Sequence, residues 1–127
     1  MNTNDYLELS MRTCKDDYTD SREALEGDVA MDLLHATLGI SGEAGEIVDT
    51  VKKSIIYGKV LDSDNLKEEL GDLMWYVSLL VHALADVTGD TPARCMSSIL
   101  EENVAKLAKR YPNLYNNGDA INRADKS

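Results

Sequence analysis

Apolar residues recur along most of the chain at the three- and four-residue spacing that is typical of amphipathic α-helices. Paired strand-like runs joined by short turns, the signature of β-hairpins, are absent from the sequence, and prolines are few. The pattern therefore predicts an all-α fold. We expect four helices, over about residues 3–16, 22–57, 65–88 and 92–111.

Residues with clear capping preferences mark the ends of these predicted helices. Gly58 is suited to end the second helix, since glycine adopts the left-handed backbone conformation of many helix C-termini. Ser63 or Asp64 is expected to cap the start of the third helix. Thr91 followed by Pro92 is a typical start for the fourth, because proline fits the first helical position.

The last part of the sequence differs in composition from the rest. Pro112 ends the fourth predicted helix, and residues 113–127 are rich in Asn, Asp and Gly, so we expect a mobile tail there. A chain of 127 residues corresponds to one domain, which we assign to residues 1–112. A helical bundle of this size often completes its core by forming oligomers, so we expect self-association.

The charge of the chain restricts its partners. Lys and Arg number 13 and Asp and Glu number 23, which gives a net charge of −10. Because binding to a nucleic-acid backbone requires a basic patch, we expect no nucleic-acid partner. The apolar run over residues 73–85 is short for a bilayer span, and the first residues do not resemble a signal peptide, so we expect no membrane contact.

The two cysteines indicate the cellular compartment. Cys14 and Cys95 do not have the spacing of a zinc site or a CxxC motif. We interpret them as reduced thiols of a cytoplasmic protein.

Two pairs of acidic residues lie on the two most apolar predicted helices. Glu43 and Glu46 stand three residues apart in GISGEAGEIVDTVKK, and Glu69 and Asp72 have the same spacing in KEELGDLMWYV. On a helical wheel each pair lies along the same flank of its apolar stripe. If the helices pack as an antiparallel hairpin, the four carboxylates converge on one space.

Converging carboxylates repel each other and resist desolvation, and a bound cation relieves both effects. Ligation by carboxylates alone favours hard ions, so Mg²⁺ is the expected cofactor, with Mn²⁺ as the alternative. Neither histidine lies within the acidic pairs, which argues against a zinc centre. The competing interpretation is a solvated acidic helix face with no ligand.

Glycines at positions 39, 42 and 45 surround the first acidic pair. Glycine has no side chain, so it allows a neighbouring backbone or a substrate to approach the helix closely. Glycines inside a helix also weaken it, so a bend or a break near residues 39–45 is a second expectation.

Three stretches of the sequence, GEAGEIVDTVKK, EELGDLMWYV and NVAKLAKRYP, resemble the signature stretches of the MazG-like all-α nucleoside triphosphate pyrophosphohydrolases. The first two resemble the ExxE and ExxD metal motifs of that family, and 25 residues separate Glu46 from Asp72. The resemblance covers about residues 30–112. It departs from many members at Gly42, where they carry an additional acid.

The resemblance implies a four-helix bundle that is completed as a homodimer or a homotetramer, with its sites near the subunit interface. It also implies Mg²⁺-dependent hydrolysis of an NTP or dNTP to the nucleoside monophosphate and pyrophosphate. Glu43, Glu46, Glu69 and Asp72 would be the metal ligands and the catalytic acids.

The candidates for substrate binding lie mainly on the fourth predicted helix. Asn103, Lys106 and Arg110 form one polar stripe, and the resemblance places this set and Tyr111 near the substrate. Arg110 is suited to bidentate phosphate binding, and Lys106 supplies a point charge. Without the resemblance, the favoured interpretation of the stripe is an ordinary solvated helix face.

Two further residues are open to two interpretations. Trp75 adjoins the second acidic pair, where its ring either stacks on a base or packs in the core. Lys53 lies two turns beyond Glu46, where it either contacts a phosphate or balances the charge of Glu46.

Two other functions are compatible with the same residues. The first is a non-catalytic helical oligomer or regulatory protein that uses the acids as a metal-stabilised core. The second is a related phosphoribosyl-ATP pyrophosphohydrolase. The four intact acids favour catalysis, and the Asn–Lys–Arg-Tyr helix resembles the nucleotide-hydrolysing branch more closely.

Overall fold

A computed structural model describes residues 1–126 of the chain. In this range the ordered elements are all helical, which confirms the predicted all-α class. The elements are α1 (Thr3–Met11), α2 (Thr19–Ala24), α3 (Asp28–Ile55), α4 (Ser63–Thr88), α5 (Pro92–Arg110), α6 (Asn117–Asn122) and a C-terminal 3₁₀ helix (Ala124–Lys126).

The two long helices α3 and α4 pack against each other as an antiparallel hairpin, which is the main tertiary contact of the chain. Helix α4 begins where the side chain of Asp62 accepts a hydrogen bond from the backbone N–H of Asn65, 3.0 Å away. The prediction of Ser63 or Asp64 at this cap was therefore wrong by one or two positions. The helix ends at Gly89, whose φ of 70° is a left-handed conformation that favours glycine.

The predicted second helix over residues 22–57 is two helices in the structure. Helix α2 ends at Ala24, and α3 begins at Asp28 after the extended backbone of Gly27. The alternative of a break near residues 39–45 was also wrong, because α3 is continuous from Asp28 to Ile55. The bend stays a prediction. The packing of α3 along α4 stabilises this stretch despite the low helix propensity of its glycines.

Helix α5 follows α4 after a short turn and packs against its last part. Thr91 caps α5 by accepting a hydrogen bond from the backbone N–H of Arg94, and Pro92 occupies the first helical position, as predicted. A small core joins the two helices, in which Val81, Ala85 and Cys95 are buried. The rest of α5 extends beyond this contact.

The segment after Pro112 contains ordered elements in the structure. Asn116 caps α6 by accepting a hydrogen bond from the backbone N–H of Asp119, 2.8 Å away. The 3₁₀ helix that follows packs back against α5. The mobility expected for residues 113–127 stays a prediction, and residue 127 lies outside the described part of the chain.

The single chain leaves much apolar surface uncovered. Its accessible surface is 9917 Å², whereas a compact monomer of 14.0 kDa exposes about 6,700 Å². Many large apolar side chains on α3, α4 and α5 are exposed, and α1 and α2 pack little on the hairpin. The four-helix bundle and its oligomerisation therefore stay predictions, since one chain does not bury its own apolar faces.

Helix α4 is long and apolar enough to cross a membrane, judged by length and composition alone. The apolar run over residues 73–85, which was expected to be too short for a span, is only part of this 26-residue helix. The same length and composition occur in core helices of soluble proteins, so the absence of membrane contact stays a prediction.

Candidate metal centre

The register of the α3–α4 hairpin determines which side chains meet between the two helices. At one level, the ring of Tyr76 lies against the backbone of Gly39. At another, the Nδ2 of Asn65 donates a hydrogen bond of 2.7 Å to the Oγ1 of the buried Thr50. The first acidic pair lies between Gly39 and Thr50 on α3, and the second lies between Asn65 and Tyr76 on α4. Both contacts therefore fix the level at which the acids meet.

Gly39 is the glycine that the packing of the hairpin requires. A Cβ atom at this position would overlap the ring of Tyr76. At Gly42 and Gly45, apart from the adjoining residues and the nearby backbone of α3 itself, no heavy atom lies within 4 Å of where a Cβ would stand. The close contact that was expected at these glycines occurs at Gly39, where the ring of Tyr76 lies against the helix. Within the single chain, no such contact is made at Gly42 or Gly45.

Three of the four predicted acids converge between the helices. Glu43, Glu69 and Asp72 each offer one carboxylate oxygen, and these three oxygens all lie within 4.8 Å of one another. Glu43 and Glu69 are half-buried, and Asp72 is exposed. Glu46 is not part of this group: it lies nearly one turn closer to the hairpin loop, where its side chain is exposed to solvent. The expectation of four carboxylates in one space was therefore correct for three.

The surroundings of Glu43 favour its neutral form. Desolvation raises the pKa of Glu43 above its ordinary value, and a hydrogen bond to the carboxyl group of Glu69 adds to the effect. The negative charges of Asp72, Glu69 and Glu46 raise this pKa further. The site therefore concentrates negative charge that a cation would neutralise.

The donor set fits a hard divalent cation. Carboxylate oxygens are the ligands that Mg²⁺ and Mn²⁺ prefer, and two of the three acids are withdrawn from bulk water. Partial exposure on the side of Asp72 leaves room for waters and for substrate oxygens, which Mg²⁺ commonly keeps as ligands. The cluster of Glu43, Glu69 and Asp72 can thus hold a metal ion.

We expect Glu43→Gln to stabilise the metal-free protein at pH 8 and to have no such effect near pH 3. The raised pKa of Glu43 means that its contribution to stability is complete below its ordinary value of 4.5 and is lost as pH rises through the folded-state pKa. Replacing the Glu43 carboxylate by a neutral amide therefore stabilises the protein only at pH values above that titration range. Thermal unfolding with EDTA, followed by circular dichroism across pH, measures the difference.

The control for this prediction is the gain in the free energy of unfolding when Mg²⁺ is added. Wild-type protein is expected to gain about 2.7 kcal/mol at an Mg²⁺ concentration one hundred times Kd, and the variant should gain less. Equal responses of the two proteins to Mg²⁺ would contradict a role for Glu43 in metal binding.

The ammonium group of Lys53 is paired with a different acid from the one considered in the sequence. Its Nζ lies 2.7 Å from the Oδ2 of Asp49, one turn earlier on α3. This hydrogen bond raises the pKa of Lys53 and lowers that of Asp49. Both side chains are about half exposed, so the pair leaves Lys53 accessible.

Trp75 lies at the surface of the chain rather than in a core, since 57% of it is exposed. Its ring makes an edge contact with the ring of Tyr76, with centroids 5.1 Å apart and planes at 88°. His35 makes edge contacts with both rings. A shallow cavity of about 250 Å³ adjoins this aromatic group and is lined by Trp75, Ser78, Leu79 and His82.

From the sequence, Tyr76 is open to the same two interpretations as Trp75, stacking on a base or packing in the core, and His35 is expected to be a structural or surface residue. The contacts of His35 with the two rings were not predicted. The helical spacing carried a signal for both. His35, Gly39 and Glu43 follow each other at intervals of four on α3, and Tyr76 follows Asp72 by four on α4. An aromatic group one turn from the acids was therefore readable from the spacing.

The polar stripe on α5 is split between two environments. Asn103 and Lys106 line one open depression of about 450 Å³, together with Ile99 and Glu102. Arg110 instead makes a two-point ion pair with Asp125 of the 3₁₀ helix. Within residues 1–126, no hydrogen bond or ion pair links these three stripe residues to the four predicted acids.

Tyr111 is adjacent to Arg110 and follows the last turn of α5. Its ring lies 5.9 Å from the guanidinium carbon of Arg110 and 5.4 Å from the ring centroid of Tyr115. Tyr111 is therefore placed beside the Arg110–Asp125 pair.

The chain is similar to known proteins over most of its length. The model of the MazG nucleotide pyrophosphohydrolase domain matches residues 32–115, which include both acidic pairs and the polar stripe of α5. The Gene 37 protein of Mycobacterium phage L5 is 38% identical over 96 residues, which cover 72% of this chain and 76% of that protein. No solved structure gives a significant match. The chain belongs to the MazG nucleotide pyrophosphohydrolase family.

Proposed function

We propose that this protein is a Mg²⁺-dependent nucleoside triphosphate pyrophosphohydrolase, which converts an NTP or dNTP to the nucleoside monophosphate and pyrophosphate. The observation that supports this most strongly is the convergence of Glu43, Glu69 and Asp72 from two helices, with ligand oxygens within 4.8 Å of one another. The family match over residues 32–115 supports the same reaction class.

The acids supply the negative oxygens that phosphoryl transfer needs around its metal ions. Bound Mg²⁺ would neutralise phosphate oxygens and lower the pKa of water at the site. Glu43, Glu69 and Asp72 would hold the ion. Glu46 is exposed beside them, where its carboxylate is free of the three-acid group and suited to orient or deprotonate the attacking water.

Positive charge for the triphosphate comes from α3 and α5. Lys53 is accessible two turns beyond Glu46 on α3, and Lys106 and Asn103 share one depression on α5. Lys106 and Arg110 bind phosphate oxygens, and Asn103 hydrogen-bonds the sugar or the base. Trp75 is exposed and is available to stack on the base, with Tyr111 close to Arg110.

Assembly with further copies of the chain completes the site in this proposal. The chain exposes roughly 3,200 Å² more surface than a compact monomer of its mass, which is in the range of permanent interfaces. Helix α5 carries an exposed apolar stripe of Leu100, Val104 and Leu107 beside its polar stripe. A homodimer or homotetramer would bury this stripe and bring the polar stripe of one chain towards the acids of another.

We expect Val104→Lys to weaken self-association more than tenfold. Burial of one valine side chain contributes about 1.5 kcal/mol or more, and a buried lysine adds a desolvation cost. Analytical ultracentrifugation at micromolar concentration should give the mass of a dimer or tetramer for the wild type and a lower mass for the variant.

The matched control for self-association is Val60→Lys, in the α3–α4 loop. Val60 is 95% exposed and Val104 is 65% exposed, and the substitution is the same. The control variant should keep the wild-type mass. A monomeric wild-type protein would contradict the proposed assembly.

The test of the proposed function is an assay of pyrophosphate release with Mg²⁺ over a panel of ribo- and deoxyribonucleoside triphosphates and phosphoribosyl-ATP. We expect turnover of at least one nucleoside triphosphate and loss of turnover with EDTA. Turnover of phosphoribosyl-ATP alone would favour the related hydrolase. Release of no pyrophosphate from any of them would favour the non-catalytic, metal-stabilised oligomer.

A further inference from the structure

The guanidinium group of Arg110 is held in a fixed orientation by Asp125. The Nε of Arg110 donates to Oδ1 of Asp125 and the Nη2 donates to Oδ2, each over 2.8 Å. The side chain of Arg110 is 17% exposed and that of Asp125 is 1% exposed. A two-point, largely buried pair fixes both the position and the plane of the guanidinium group.

This pairing uses only one edge of the guanidinium group. Arginine carries five N–H donors, and Asp125 takes one from Nε and one from Nη2. The donors of Nη1 and the second donor of Nη2 form the other edge, which has the spacing for two phosphate oxygens. One guanidinium group can therefore pair with a carboxylate along its first edge and with a phosphate along its second.

Asp125 is well suited to remain charged while it holds Arg110. The hydrogen bonds from Arg110 hold the pKa of the Asp125 carboxyl well below its usual range, and Arg123 lowers this pKa further from 3.4 Å away. The pair therefore stays ionised throughout the neutral pH range. An arginine that is fixed in this way loses less side-chain entropy when it binds a phosphate.

We propose that Asp125 is a positioning residue for the substrate, which aims the second edge of the Arg110 guanidinium group at the triphosphate. The inference rests on the proposed function and extends it to the C-terminal segment. After α5 the chain reverses direction through α6, and the 3₁₀ helix packs against α5. This packing places the buried carboxylate of Asp125 beside Arg110, the last residue of α5.

The opposite role for the same contact is competition, in which Asp125 occupies Arg110 and must leave before phosphate binds. The two roles predict opposite changes in KM when the carboxylate is removed. Breaking a pair that is this deeply buried is costly, whereas binding phosphate to the second edge keeps the pair intact. Positioning is therefore the role that the geometry favours.

The test compares Asp125→Asn and Asp125→Glu with the wild type in steady-state kinetics. We expect Asp125→Asn to raise KM by about tenfold and to change kcat much less. Tenfold is the lower end of the loss that follows removal of residues that orient metal ligands in other proteins. Asp125→Glu should recover part of the loss, because it restores a carboxylate. An unchanged KM would overturn the inference, and a lower KM would show competition instead.

A control variant separates positioning from the general order of the C-terminal segment. Asn116→Ala removes the cap of α6 and leaves the Arg110–Asp125 pair in place. We expect its KM to stay within twofold of the wild type. An equal rise in KM for Asn116→Ala and Asp125→Asn would overturn the inference, and circular dichroism verifies that each variant is folded.

Calorimetric binding of inorganic triphosphate with Mg²⁺ distinguishes this inference from the proposed function. The affinity of Asp125→Asn should be about tenfold below that of the wild type. A wild-type protein that binds triphosphate but releases no pyrophosphate from any nucleotide would contradict the proposed function alone. An Asp125→Asn variant that binds as tightly as the wild type would contradict the positioning role alone.

Discussion

An Asp72→Asn variant is expected to lose pyrophosphate-releasing activity by roughly a hundredfold to a thousandfold or more, the loss seen when one preorganised electrostatic group is removed from an active site. The asparagine keeps the size of the side chain but supplies a neutral oxygen in place of a charged one. Since Asp72 shares its space with Glu43 and Glu69, the change weakens the whole ligand set. The measurement is kcat/KM for pyrophosphate release at saturating Mg²⁺.

Asp86→Asn is the matched control for this loss of activity. It is the same substitution on the same helix, at an exposed position outside the acidic group. Both variants should keep the helical content of the wild type in circular dichroism. Activity of Asp72→Asn within a few-fold of the wild type would remove Asp72 from the site.

Glu46→Gln separates metal binding from activation of water. Because Glu46 lies outside the group of three acids, its loss should lower kcat while Mg²⁺ affinity stays close to that of the wild type. A large fall in Mg²⁺ affinity would instead make Glu46 a fourth ligand.

The second large effect is expected for Gly39→Ala, which should lower the free energy of unfolding by about 1–3 kcal/mol. The added Cβ would overlap the ring of Tyr76, and that ring is held by edge contacts with Trp75 and His35. To relieve the overlap, α3 and α4 must move apart at this level, which is one helical turn away from the acids. Thermal or denaturant unfolding at a fixed protein concentration measures the change.

Gly42→Ala and Gly45→Ala provide the controls for this substitution, because they lie on the same helix and a Cβ at either position has no neighbour within 4 Å in the chain. Replacing a helical glycine by alanine in open space stabilises by about 0.5–1 kcal/mol. Gly39→Ala with wild-type stability would contradict the close packing of Tyr76 on Gly39. Destabilisation by the control variants would place those glycines in an interface between chains.

The pattern of the two long helices was sufficient to predict that three of the four acids converge between them. Residues that share a helix face meet when two amphipathic helices pack as a hairpin, so Glu43, Glu69 and Asp72 were predictable from spacing alone. The position of Glu46 outside the group was not, since the exact rotation of each helix depends on packing such as Tyr76 against Gly39.

The features that the pattern did not predict depend on contacts between residues far apart in sequence. Arg110 pairs with Asp125 across a segment without helical periodicity, so nothing in the local sequence indicated the pair. In the sequence, only Gly27 indicates the break between α2 and α3. The complete bundle depends on contacts beyond one chain, because the apolar faces of α3, α4 and α5 remain exposed within it.

The most direct test of the central claim is a crystal structure of the protein with Mg²⁺ and a non-hydrolysable nucleoside triphosphate. We predict an ion held by Glu43, Glu69 and Asp72 that also contacts phosphate oxygens, with Lys106 and Arg110 on the same phosphates. A nucleotide bound elsewhere, or these three carboxylates directed into solvent without an ion, would contradict the account.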